Sequence, residues 1–343
     1  MMFLSNVAFL ASLASAASLG RRASPLNVEL NVVDTDVTAT ITNTGAEDLK
    51  VLKTGTILDS APVEKVQIFQ GAEKVDFTGI RLRLQNTEYA EEAFQTIPAG
   101  RAIEVTFDAA ELHDLSAGGD FDIVADGVLS YASADSTAIN GVVSYASNTV
   151  TANIDAAKAV ESRSNFIKRT AVQSGSCTGT KLTATNTAIS NCRTLAAAAS
   201  SAALSNTAKV QEYFKSTSVG STVASVFAKV ITECSSTSSG YSDTYCTDVY
   251  GACSSNVLAY TVPSLSIIVN CPLYFSALPA ITSTCHGQDQ ATTTIHETTH
   301  LTQVKGTQDL GYGYSAATSL SSSNALNNAD SYALFANAIR VGC

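Results

Sequence analysis

The sequence predicts an α+β protein. A β-rich N-terminal region precedes a mainly helical C-terminal region that carries a small antiparallel sheet. Three observations point there. Short runs of alternating apolar and polar residues occupy positions 25–150, whereas helical spacing dominates beyond residue 170. Charge divides at the same place: residues 1–169 hold 22 acidic and 13 basic side chains, and residues 170–343 only 8 and 7. All 8 cysteines lie at or beyond Cys177.

In chain order, Met1 to Ala17 has an apolar stretch, Val7 to Leu13, too short to span a bilayer. The small residues Ala14, Ser15 and Ala16 follow it. This is the pattern of a secretory signal peptide (1–17) cleaved near Ala16 or Ala17. Secretion takes the chain into an oxidising compartment, where eight cysteines read as disulfides. Strand candidates follow at Val28 to Val32, Val37 to Thr42, Val66 to Phe69, Ile80 to Leu84, Ile103 to Phe107 and Phe121 to Val124. Asn43-Thr44-Gly45 and Gly118-Gly119 punctuate them. Short strands at this spacing predict a small antiparallel sandwich held by its core alone. His113 reads as a surface residue of this region.

Lys168-Arg169 stands where charge and cysteine content change. A dibasic pair at such a boundary predicts proprotein cleavage, with residues 18–169 as a pro-region and Thr170 as a new N-terminus. Beyond it, Leu195 to Ser205 and Ala208 to Lys215 read as a helical hairpin. Val223 to Cys234 spaces its apolar residues as a helix, Leu265 to Val269 reads as a strand, and a last helix is predicted from Ala329 to Val341. The net charge of −10 and a pI near 4.8 exclude a phosphate-driven nucleic-acid binder. Outside the N-terminus no apolar run approaches the roughly 18 residues of a transmembrane helix.

The chemistry concentrates in His296-Glu297-Thr298-Thr299-His300, an H-E-x-x-H pattern. Residues at i and i+4 share a helix face, so both imidazoles can reach one metal ion. Glu297, one position on, can take a proton from a metal-bound water. The many threonines around it are poor helix formers, so the segment must be held by burial and metal rather than by propensity. A catalytic zinc site needs a third protein ligand. Downstream of His300 there is no further His and no Glu; the acids there are Asp309 and Asp330. An Asp remains, unless His286 serves from upstream; beside Cys285, His286 reads rather as structural.

H-E-x-x-H followed by Gly306-Thr307-Gln308-Asp309-Leu310-Gly311-Tyr312-Gly313 resembles the deuterolysins, the fungal neutral protease 2 group of aspzincins. The layout of signal, acidic pro-region, dibasic junction and cysteine-bearing domain resembles theirs as well. The resemblance implies a zincin-like catalytic domain over residues 170–343 with one zinc ion. It implies His296, His300 and Asp309 as ligands, Glu297 as general base and acid, and Tyr312 as stabiliser of the oxyanion. Asn328-Ala329-Asp330 resembles a family segment too, with Asp330 either facing the substrate pocket or standing in the first turn of the last helix. A preference for basic protein substrates is the family's; an acidic pocket wall would account for it. Eight cysteines allow 105 pairings. The resemblance favours Cys177–Cys246 and Cys253–Cys271, with Cys285–Cys343 tying the site to the C-terminus and Cys192–Cys234 left over.

The sequence thus predicts a secreted, monomeric zinc endopeptidase made as a zymogen. Its partners are protein and peptide substrates, its own pro-region as intramolecular inhibitor, and a processing protease acting at Lys168-Arg169. The alternative is a secreted, non-catalytic zincin-like binding protein with a permanent β-rich adhesion module.

Overall fold

The computed structural model describes residues 24–86, 89–254 and 256–343, except 170–176, and for 165–169 the backbone alone. The signal segment 1–17 and the new N-terminus expected at Thr170 lie outside the described residues.

The N-terminal region contains β1 (Leu26–Val33), β2 (Asp36–Asn43), β3 (Leu49–Leu52), β4 (Gln67–Gln70), β5 (Glu73–Lys74), β6 (Arg81–Leu84), β7 (Phe94–Ile97) and β8 (Ala102–Asp108). β9 (Gly119–Val124), β10 (Asp126–Ala132), β11 (Ile139–Ala146), β12 (Val150–Ile154) and helix α1 (Ala156–Arg169) follow. The alternation legible in β1 is an alternation of burial: Leu26, Val28 and Leu30 point inward between exposed Asn27, Glu29 and Asn31. These strands form three sheets, ordered β1-β2-β8, β11-β10-β3-β7 and β12-β9-β4-β5, rather than the two of a sandwich. Their side chains close a core of their own, built on Val37, Ile41, Ile68, Phe121, Ile123 and Leu129.

Two expectations fail here. His113 is 2% exposed and packs against Phe77, with ring centroids 5.7 Å apart. Burial pulls its imidazole down to about 4, against an attraction to Glu64 that acts the other way. The predicted strand at Ile80 to Leu84 forms, but β6 leaves the N-terminal sheets altogether, because Leu82 and Leu84 bury against apolar side chains of the C-terminal region.

The junction carrying Lys168 and Arg169 is the end of helix α1. Asp155 caps its start, its carboxylate accepting from the amides of Ala157 (2.8 Å) and Lys158 (3.1 Å).

The C-terminal region contains α2 (Gly179–Ser205), α3 (Thr207–Phe214), α4 (Gly220–Glu233), β13 (Asp243–Tyr245), β14 (Val257–Val262) and β15 (Ile267–Asn270). Then come α5 (Pro272–Ala277), α6 (Gln290–His300), α7 (Gly313–Ser319), α8 (Ser322–Leu326) and α9 (Ala329–Val341). Helix α2 begins 16 residues before the predicted Leu195. Its buried stripe runs through Thr185, Ala188, Cys192, Leu195, Ala196, Ala199 and Ala203, whose first members are too small or polar to register as an apolar pattern. The small sheet has the order β13-β15-β14-β6. It is mixed rather than antiparallel, since β13 runs parallel to β15. Its fourth strand comes from the N-terminal region, and β6 pairs antiparallel with β14. A shared core of Leu82, Leu84, Phe94, Tyr260, Val262, Val269 and Tyr312 joins the two regions there.

Four disulfides cross-link the C-terminal region: Cys177–Cys246, Cys192–Cys234, Cys253–Cys271 and Cys285–Cys343. No helix among the described residues is long and apolar enough to cross a membrane.

Candidate metal centre

Helix α6 forms despite its threonines because its start is fastened. Asp289 accepts from the Thr292 amide (2.7 Å), and Thr292 Oγ1 accepts in turn from the Asp289 amide (3.2 Å), a reciprocal capping box. Nearly the whole helix is buried, wedged against α2, α9 and β14. After Leu301 the chain doubles back. Gly306 takes a positive φ of 66°, and the Thr307 amide donates to the Thr299 carbonyl (3.1 Å). This return brings Asp309 over the histidine face.

His296 Nε2 lies 3.1 Å from Asp309 Oδ1, and His300 Nε2 lies 3.3 Å from the same oxygen. One ligand atom from each of the three residues falls within 4.8 Å of the others. All three atoms are buried and none has a hydrogen-bond partner. Buried polar atoms left without partners are costly, and two imidazole nitrogens with a carboxylate oxygen are a suitable donor set for a divalent ion such as zinc.

The ring orientations fit that reading. His300 Nδ1 lies 2.9 Å from the Thr307 carbonyl, which only accepts, so Nδ1 carries the proton and Nε2 offers its lone pair. His296 Nδ1 faces Asp330 Oδ1 at 3.1 Å, a carboxylate that favours the same tautomer. Asp330 is the second residue of α9, and its other oxygen accepts from the Gly313 amide (2.6 Å). Burial pulls His296 down to about 3, keeping it neutral. Asp309 is pushed upward by burial, but the attraction of His300 and the contacts with His296 outweigh this and hold it ionised.

Glu297 is fully buried between helix and sheet. Thr261 of β14 donates to its Oε2 (2.6 Å), whereas Oε1 has no partner. Burial raises its carboxyl well above the usual range, and the Asp309 charge adds to the rise. Tyr312 stacks at 20° on His296, with centroids 6.4 Å apart, and its hydroxyl donates to the Leu82 carbonyl (2.8 Å). Gly55, at φ 75°, makes room for that hydroxyl; a Cβ there would lie 3.1 Å from it.

The deuterolysin metalloprotease (M35) family model matches residues 2–343. The chain belongs to that family. A neutral protease 2 homolog of Colletotrichum graminicola is 53% identical over all of both chains. One of Phaeosphaeria nodorum is 53% identical over 98% of each. A neutral protease 2 homolog of Aspergillus oryzae is 45% identical, again over all of both. Among solved structures, a zinc peptidase from Grifola frondosa is 26% identical with a TM-score of 0.38, covering 47% of this chain and 97% of that one. Membership makes the chain a metalloprotease and sets aside the non-catalytic alternative.

Within the deuterolysin frame, His286 stands apart from the centre. It stacks on Tyr314 (3.8 Å, 13°) and lies 2.7 Å from the Tyr213 hydroxyl. It clusters with Cys285 and Cys343, but their sulfurs are joined to each other and offer no thiolate.

Two residues, Thr261 and Arg83, and the role of Asn328 escape the sequence reading. Thr261 orients Glu297. Asn328 accepts from the amides of Leu310 (2.9 Å) and Gly311 (3.1 Å), shaping the loop that carries Asp309 and Tyr312. Arg83, from β6, is 2% exposed; its guanidinium pairs with Asp330 and reaches to 3.1 Å of His296 Nδ1. The alternation Arg81-Leu82-Arg83-Leu84 marks a strand, but nothing in it says that an arginine would be buried.

Proposed function

We propose that this chain is the precursor of a secreted zinc endopeptidase. Residues 1–17 are the signal peptide, 18–169 an inhibitory pro-region, and 170–343 a mainly helical, zincin-like catalytic domain that acts as a monomer on protein and peptide substrates. The observation that carries the reading is the trio of buried, unpartnered atoms His296 Nε2, His300 Nε2 and Asp309 Oδ1. Zinc held there supplies a Lewis acid that acidifies water and polarises the scissile carbonyl.

The chain's own residues do the rest. Glu297, with one oxygen tied to Thr261 and the other free, takes a proton from the attacking water and passes it to the leaving amine. Burial raises its affinity for a proton, the direction that favours a carboxylate acting as base and then as acid. Tyr312, already donating to a peptide carbonyl, donates to the oxyanion as it forms. Asp330 holds His296 in its tautomer and lends negative charge to the pocket, which favours basic substrates. A processing protease cuts after Arg169, at the end of α1, and frees the catalytic domain.

Casein hydrolysis by the processed protein tests this reading. Activity should vanish with chelator and return with added zinc; full activity after the metal is stripped would contradict it.

A further inference from the structure

With zymogen and peptidase taken as above, we propose that β6 is a built-in substrate mimic, which lays the Leu82–Arg83 peptide bond across the reaction centre and seats the Arg83 side chain in the pocket closed by Asp330.

The sheet order makes β6 removable. Without it, β14 is an edge strand with unpaired backbone groups, the surface to which an extended peptide adds as a new strand. β14 is also the strand that carries Thr261, the partner of Glu297. A peptide added to that edge therefore runs past the general base. β6 does this antiparallel, with Arg81 opposite Thr261, Leu82 opposite Tyr260 and Arg83 opposite Ala259.

Contacts on the far side fix which bond sits at the centre. The Leu82 carbonyl accepts from the Tyr312 hydroxyl (2.8 Å), the donor assigned to the oxyanion. The Leu82 amide donates to Asp309 Oδ2 (3.1 Å), the second oxygen of the carboxylate whose Oδ1 faces the histidines. The next side chain, Arg83, enters a fully enclosed position. Arg83 and Asp330 are each 2% exposed and form an ion pair, and the Glu297 and Asp309 carboxylates attract the same guanidinium. A buried guanidinium is tolerated only when paired, so the fit of Arg83 defines a basic-side-chain pocket directly after the bond in question.

Anchors on both flanks keep the mimic in place. Before it, Arg81 pairs with Glu64, which also accepts from Gln308 (2.8 Å) of the catalytic region. After it, the Gln85 amide donates to Asn256 (2.9 Å), and Gln288 bonds both the Leu84 carbonyl (2.8 Å) and the Asn86 amide (2.9 Å). A segment held on both sides of the bond cannot leave as two products. Latency then comes from occupation of the groove by backbone and one basic side chain.

The test uses the full, zinc-loaded chain with Lys168→Ala and Arg169→Ala, so that it stays uncut. Replacing Arg83 by Met should raise its turnover at least about tenfold, because the pairing with Asp330 is lost while the length is kept. Arg83→Lys, which keeps the charge, should stay near the unaltered level. An uncut Arg83→Met chain as silent as the unaltered one, beside an active processed enzyme, would overturn the mimic. An inactive processed enzyme would instead overturn the peptidase reading. Hydrogen exchange judges the mimic independently of activity and of how the variant folds. In the unaltered uncut chain the amides of Leu82 and Gln85 should be protected, and they should lose protection when the junction is cut and the pro-region released. Free exchange at both amides before cutting would also overturn it.

Discussion

Residues 26–159 bury Val37, Ile41, Phe121 and Ile123 in a core that contains no cysteine. From Cys177 onward, four disulfides are laid over a core of Phe214, Phe227, Tyr332 and Phe335. The first region is acidic and the second nearly neutral. Between them lies a third, shared core around Leu82, Leu84, Tyr260 and Tyr312. The contrast is what the proposed precursor leads one to expect, in which one region is cut from the other. Each has a core of its own, and only the region bearing the H-E-x-x-H helix is stapled. Under that proposal, the discarded part needs only to fold and hold the groove, whereas the secreted part must last outside the cell.

The largest effect that separates chemistry from architecture is expected at Glu297. Glu297→Gln should lower kcat of the processed enzyme by about a thousandfold. It should leave the melting temperature and metal content of the C-terminal region unchanged. Substantial turnover by a zinc-loaded variant would remove Glu297 as the base.

The staples should matter to one region alone. Replacing Cys285 and Cys343 by Ser should cost the C-terminal region about 2–5 kcal/mol, read as a lowered urea midpoint of the processed enzyme. Reductant should leave the unfolding of residues 26–159 unmoved, since no disulfide is there to break. Equal sensitivity of both regions would break the comparison.

Acid should act in the opposite sense, on the unstapled region. Folding lowers His113 from an ordinary 6.5 to about 4. The folded state thus prefers the neutral ring, so the stability it contributes is complete above pH 6.5 and is lost as pH falls towards 4. A shift of that size corresponds to about 3 kcal/mol. Unfolding of the N-terminal region followed in urea from pH 7 to pH 4 should show this loss, and His113→Gln, which does not titrate, should flatten it. An unchanged pH profile in that variant would assign the acid sensitivity elsewhere.

The site was legible where its logic is local. His296 and His300 are one helical turn apart, and Asp309 follows on a glycine-turned return, so a short window of sequence holds all three donors. Helix α9 was legible for the same reason, its apolar residues lying within one stretch. Arg83 and Thr261 were not, because they reach the site from 213 and 36 residues away, through strand pairing. Alternation in Arg81-Leu82-Arg83-Leu84 tells which side chains share a face; it does not tell which sheet the strand will join. His113 misled because a lone polar side chain looks exposed until the core that encloses it is built. The early half of α2 was hidden by Thr185 and Ala188, buried residues with too little apolar surface to mark a face.

Metal content tests the central claim most directly. Processed enzyme carrying Glu297→Gln and processed enzyme carrying Asp309→Asn are dialysed side by side and assayed for bound zinc. The account predicts close to one zinc per molecule in the first and little or none in the second, because a neutral amide is a much poorer ligand than a carboxylate. One zinc per molecule retained by the Asp309→Asn protein would contradict it.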